Sequence, residues 1–153
     1  MIEFTPSTNA SGMTFEVKRQ LQASIAFSLS KTQRFHVVDV GWTRDASKSD
    51  LTAVNDDGST AAAVKVGKQL GVSYVLTGTV TEYTPRGDGG FGYATLRARL
   101  VEVATGNVKY SGEIAQKGTS AMHPAGKAGA SEMQGKVLKP AIEKLTAALV
   151  AKL

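Results

Sequence analysis

The sequence predicts an α/β sandwich of three helices packed on a mixed five-stranded sheet, in the order β-α-β-α-β-β-β-α. Three observations predict it. The stretch GVSYVLTGTVTE, Gly71 to Glu82, is rich in Val, Tyr and Thr, residues that pack well on a pleated surface. Two other segments repeat apolar residues every three or four positions, Val17/Leu21/Ile25/Leu29 and Leu138/Ile142/Leu145/Leu149, as amphipathic helices do. Tyr93 to Val103 alternates strictly, and the short turn Ala104-Thr-Gly-Asn107 joins it to a further strand, Val108 to Lys117.

The elements follow in order. Ile2 to Thr5 reads as a short strand stopped by Pro6 and a small polar turn. A helix is expected over Thr14 to Ser30, with Lys18, Arg19 and Gln22 opposite its apolar stripe. Phe35 to Val40 is short and mostly apolar, as a strand covered on both faces would be. Gly41 to Gly58 has the composition of a surface excursion, after which Asp57 or Ser59 can cap a helix ending at Leu70. That helix should turn Ala62, Val66 and Leu70 inward. Gly71 suits the left-handed position that closes it.

The strand that follows is the central one. Val72, Tyr74, Leu76, Gly78 and Val80 share its apolar face, and Ser73, Val75, Thr77, Thr79 and Thr81 the mixed one. Thr84 to Gly92 is a flexible connection. On the next strand Ala94, Leu96, Ala98 and Leu100 face one way, and Thr95, Arg97 and Arg99 the other. Gly118 to Gly129 is loop-like, and Pro140 kinks the last helix or marks its first turn.

Composition limits the function classes. A chain of 153 residues with 42% hydrophobic and 20% charged residues is read as a single domain, 1–153, with a globular core. The net charge of +5 suits anionic partners, but the basic residues are scattered as on ordinary solvated faces. Cysteine is absent, which removes disulfides, thiol nucleophiles and thiolate metal sites. No apolar run approaches the roughly 20 residues of a membrane-spanning helix. The first residues carry no export signal, yet the chain opens directly inside an expected strand, and a leader or strand truncated ahead of Met1 is the expectation.

Little here can do bond chemistry. The glycine-rich run Arg86 to Gly92 is followed by a strand, whereas a phosphate loop needs a helix directly after it, so it reads as a hairpin loop. His36 and His123 lie far apart with no ligand at metal spacing. Asp56-Asp57-Gly58 lacks the alternating oxygens and closing Glu of a calcium loop. No serine sits in a nucleophile elbow. The chain is therefore expected to be no enzyme, with no cofactor and no metal.

The binding candidates are Arg97, Arg99 and Tyr93 on one strand face, with Tyr83 and Tyr110 from neighbouring strands. Arginine and aromatic side chains on an open sheet can grip a protein or stack bases.

Three segments then carry a resemblance: SKTQRFHVVDV, AAAVKVGKQLGVSYVLTGTVTEY and LRARLVEVATGNVKYSGE. A helix ending in Lys/Ser-x-x-Arg-Phe before a Val-Val strand, a helix ending in Leu-Gly, a strand with an internal Thr-Gly and an Ala-Thr-Gly hairpin resemble the family of the curli secretion channel (CsgG-like). The pattern also resembles the lipoprotein activators of penicillin-binding proteins and the N-terminal domain of the Tol-Pal β-propeller protein, over most of residues 14–117.

The resemblance implies a lipoprotein in the periplasm or at the inner face of the outer membrane. Such a domain binds an envelope protein during outer-membrane or cell-wall assembly, through a sheet face or an edge strand. It implies membrane contact only through a lipid anchor missing from this chain, since the anchoring Cys is absent. The connections at Thr84 to Gly92 and Gly118 to Gly129 lack the alternation of membrane strands, so no pore is expected. An N-terminal edge strand could pair with a second copy as a homo-oligomer. The reading from another class is a cytoplasmic nucleic-acid-binding module built on Arg97, Arg99 and the basic helices.

Overall fold

The structure is a computed structural model that describes residues 5–6, 13–38, 60–84, 92–118 and 133–152. Helix α1 spans Phe15–Lys31, α2 Thr60–Leu70 and α3 Lys139–Ala151. The strands are β1 (Thr5–Pro6), β2 (Tyr74–Thr84), β3 (Tyr93–Glu102) and β4 (Val108–Lys117). They form one sheet in the order β1-β2-β3-β4, with β1 parallel to β2 and the other pairs antiparallel.

Local chemistry explains the boundaries. Thr14 caps α1 by accepting the Val17 N–H at 3.2 Å, and Glu16 adds a favourable charge in the first turn. Helix α2 ends where expected. Gly71 takes φ +68°, its N–H reaches the Lys68 carbonyl, and the Val72 N–H reaches Gly67 at 3.0 Å, which satisfies the last carbonyls of the helix. In the β3–β4 turn only Gly106 has positive φ; Asn107, also expected to tolerate it, does not need it.

Two cores result, one on each face of the sheet. Leu21, Ile25 and Leu29 of α1, with Ile142, Leu145 and Leu149 of α3, pack on Leu76, Val80, Leu96 and Leu100. On the opposite face Ala63 and Val66 of α2 pack on Val75, Val101 and Val103. Ala62 and Leu70 flank this smaller cluster, while Ala63 and Gly67 take the fully inward places expected of them. The Ser28 and Thr146 hydroxyls, 2.8 Å apart, tie α1 to α3, and the Gln134 amide donates to Ser24 at 2.9 Å.

Two expectations are corrected. The sheet has four described strands, not five: Phe35 to Val38 form no strand, and 39–40 lie outside the described residues. Phe35 and Val37 do pack against the main core. Their apolar character reports side-chain burial, while β2 spends one edge on β3 and meets β1 on the other at Thr79 and Val80.

The central strand also changes phase. A register shift between Val80 and Glu82 adds one residue, so Tyr83 joins Val80 on the inner face although its number is odd. Finally, α3 begins from a widened turn at Gln134–Leu138, in which the Lys139 N–H reaches back to the Gln134 carbonyl. Pro140 then falls in the first turn of α3, where its missing N–H is least costly. The expected excursion 41–58, the loop 86–91, Asp57, Ser59 and His123 lie outside the described residues.

Candidate partner-binding face

The outward face of β3 and its neighbours is set by register. Tyr93 stands opposite Thr84 and Lys117, Thr95 opposite Glu82 and Ala115, Arg97 opposite Thr79 and Glu113, and Arg99 opposite Thr77 and Ser111. Beyond Arg99 the face turns apolar at Val101, where α2 covers it. A polar ladder therefore runs from an apolar foot under α2 to Tyr93.

Three of the five candidate residues come together here, and two do not. Arg97 is exposed, and its Nε and Nη2 both donate to Glu113 Oε2, at 3.3 and 3.1 Å. Lys117 holds its ammonium 5.5 Å from the centre of the Tyr93 ring, a cation–π contact between cross-strand partners. Arg99 is half-buried, and its Nη2 has no hydrogen-bond partner among the described residues. That nitrogen is shielded from solvent, and such a donor is costly to leave unmet.

Tyr83 and Tyr110 are corrected off the face. Tyr83 is buried on the inner side through the shift at Thr81, and Tyr110 packs against the inner core, its hydroxyl lying over Gly112. Burial raises both phenols above the ordinary tyrosine value.

At the end of β3, Glu102 accepts the Thr105 hydroxyl at 2.9 Å and lies 3.3 Å from Lys109. The Thr105 hydrogen bond, then Lys109, hold its carboxyl below the ordinary value against partial desolvation. With a folded pKa below the unfolded one, this group's contribution to stability is present above the unfolded value. It is lost as pH falls through the folded one. Thr105→Val is expected to move the Glu102 titration upward in a carboxyl-detected NMR pH series; an unmoved curve would assign the depression to Lys109.

Two concavities flank the sheet. A cleft of about 430 Å³ at its end is lined by Phe35, Val37, Leu70, Val72, Tyr74 and Leu149, with the exposed His36 at its rim. A groove of about 530 Å³ runs between α1 and the widened turn, lined by Ser24, Phe27, Lys31, Gln134, Lys139 and Glu143. Phe27 is 70% exposed there. Sequence reasoning passed over this groove, although Phe27 falls outside the four-residue stripe of α1 and was its readable signal. Among the described residues no three His, Cys, Asp or Glu side chains gather as metal ligands, and no helix is long and apolar enough to cross a membrane.

Known proteins share the sequence pattern and the fold. The sequence profile described as peptidoglycan-synthase activator LpoB matches residues 2–115. No curated protein sequence matches the chain significantly. Among solved structures, the hypothetical protein CT253 from Chlamydia trachomatis is similar, with TM-score 0.59 and 11% identity, over 99% of this chain and 96% of that one. A PelC dodecamer from Paraburkholderia phytofirmans gives TM-score 0.56 and 15% identity over 92% and 82%. Lipoprotein GNA1162 from Neisseria meningitidis gives 0.54 and 19% over 91% and 88%. At these identities the likeness is one of fold.

Proposed function

The chain belongs to the peptidoglycan-synthase activator LpoB family, and from that premise we propose that it is a non-enzymatic envelope lipoprotein domain that binds and activates a peptidoglycan synthase. The observation that carries this reading is the family match over residues 2–115, which spans α1 through β3 and β4 as far as Ala115, and so the candidate face except Lys117. The domain would sit in the periplasm, held to the outer membrane by a lipid anchor. The resemblance to the curli channel and the Tol-Pal protein rests on the shared motifs alone.

Contact with the synthase is proposed through Tyr93, Arg97, Arg99 and Lys117. The ordered pairs give rigid, oriented side chains for a partner to meet. The nucleic-acid reading is not taken up. Arg97 is already held by Glu113, and Glu82 places a second carboxylate beside Thr95, so no continuous cationic strip tracks a phosphate backbone.

The test has two arms. Fractionation of the native protein, with an intact mass of its mature N-terminus, is expected to show a cleaved, lipidated, membrane-bound chain; an uncleaved cytosolic chain overturns the envelope reading. Binding of Arg97→Glu to a peptidoglycan synthase of the same cell is expected to weaken by about thirtyfold, as for a central interface arginine. Unchanged affinity in both Arg97→Glu and Lys117→Glu would move the contact off this face.

A further inference from the structure

Helix α1 carries two rows of side chains at four-residue spacing. Val17, Leu21, Ile25 and Leu29 are buried against the sheet. Two positions on, about 200° round the helix, Phe15, Arg19, Ala23, Phe27 and Lys31 form the opposite ridge, and all five are exposed. Phe15 and Phe27 are 71% and 70% exposed, the highest values among the described large hydrophobics, and neither ring belongs to a core cluster. A ridge that meets only water would be polar at these places.

Positive charge gathers on the same layer. Residues 13–38 and 133–152, which supply α1, α3 and their flanks, hold eight Lys and Arg side chains against Glu16 and Glu143. Their net charge is +6, where the whole chain has +5, so the remainder is net negative by one. Some of these cations are engaged: Arg19 pairs with Glu16 at 3.6 Å, and Lys144 donates to Gln116 at 2.6 Å. Lys31 and Lys139 have no ion-pair partner among the described residues. Together with Phe27 and Glu143 they line the groove of about 530 Å³ beside α1.

We propose that the α1–α3 layer seats on the surface of an anionic lipid bilayer, with the two phenylalanine rings entering the headgroup region and Lys31 and Lys139 meeting lipid phosphates. Exposed aromatic rings set among cations on one helical face are the chemistry of an interfacial contact. A second copy on this layer would set one strongly positive surface against another. Direction favours a bilayer over an acidic protein. Helices α1 and α3 cover one face of the sheet, and Arg97 and Arg99 share the other with the seat of α2. A bilayer under the helices therefore leaves the proposed synthase face turned away from it. That orientation rests on the proposed function, whereas the lipid contact rests on the ridge and its charge.

The purified, unacylated chain tests this with no synthase present, so its outcome is separate from that of the binding reading. Co-sedimentation is expected with phosphatidylcholine vesicles containing about 30% phosphatidylglycerol, not with phosphatidylcholine alone, and it should fade as salt is raised. Phe27→Ala is expected to weaken binding about tenfold. Lys31→Ala with Lys139→Ala is expected to weaken it about thirtyfold, roughly fivefold for each lysine. Lys68→Glu on α2 removes the same two units of net charge from the other side of the sheet, and is expected to change binding by less than about twofold. All these side chains are exposed, and circular dichroism checks that each variant is folded. Absence of binding to the anionic vesicles at low salt would overturn the proposal, and polyglutamate binding in their place would assign the layer to an acidic protein. Full affinity in Phe27→Ala, or an equal loss in Lys68→Glu and the double lysine variant, would overturn it as well.

Discussion

Leu96→Ala is expected to lower folding stability by about 3 kcal/mol, the middle of the range for truncating a buried leucine. Leu96 is fully buried at the middle of β3, on the face that meets α1 and α3. Its position opposite Val80 on one side and Ile114 on the other places it inside a sheet that cannot close over the gap without moving three strands. At the scale for a chain of this length, the loss corresponds to a fall in Tm of roughly 6–12 °C.

The contrast with its neighbour makes the result diagnostic. Arg97 points the other way into solvent, and its pair with Glu113 is exposed, worth about 0–1 kcal/mol. Leu96→Ala should therefore move Tm with affinity for a synthase kept at temperatures where the domain remains folded. Arg97→Glu should do the reverse. If the two variants lose stability equally, alternation along β3 does not divide core from surface as described.

That division was legible in the sequence, and for a physical reason. Strand alternation has period two, so Ala94, Leu96, Ala98 and Leu100 declare one face, and Arg97 and Arg99 the other, without knowledge of the neighbours. The stripe of α1 and the closing glycine of α2 are equally local signals. What the sequence hid depends on partners. The extra residue at Thr81 has no side-chain signature, because a bulge is fixed by the strand it faces, and it carried Tyr83 to the core.

The run at Phe35 is apolar because it covers the core, and burial alone does not distinguish a strand from an extended cover. The second core was in plain sight: Val75, Val101 and Val103 are apolar on the face otherwise occupied by Thr and Arg. Taken together, those three valines mark where α2 sits. They also mark where the proposed binding face stops.

The other large effect is expected at that boundary. Gly67 lies on the buried side of α2, where an added Cβ would stand 2.4 Å from Val103 Cγ2 and 3.0 Å from Val75 Cγ2. Gly67→Val therefore forces the helix away from the sheet and is expected to cost about 3 kcal/mol, at the upper end for overpacking. Gly67→Ala sharpens the argument. On an exposed helix face that change should stabilise by about 1 kcal/mol, since alanine is the better helix former. Here contact with a stiff, β-branched valine outweighs the propensity, and a net loss is expected.

The double variant Gly67→Ala with Val103→Ala identifies the cause. Removing the valine methyls opens the space the new methyl needs, so the pair should be more stable than the sum of the two single losses, with a coupling of about 1 kcal/mol or more in chemical denaturation. Strict additivity would mean that α2 is not seated on Val103. Val101, the next residue after Arg99 along the same face, rests under α2, so the seat of this helix also fixes the lower end of the polar ladder. A glycine chosen for close packing thus sets how far the face extends.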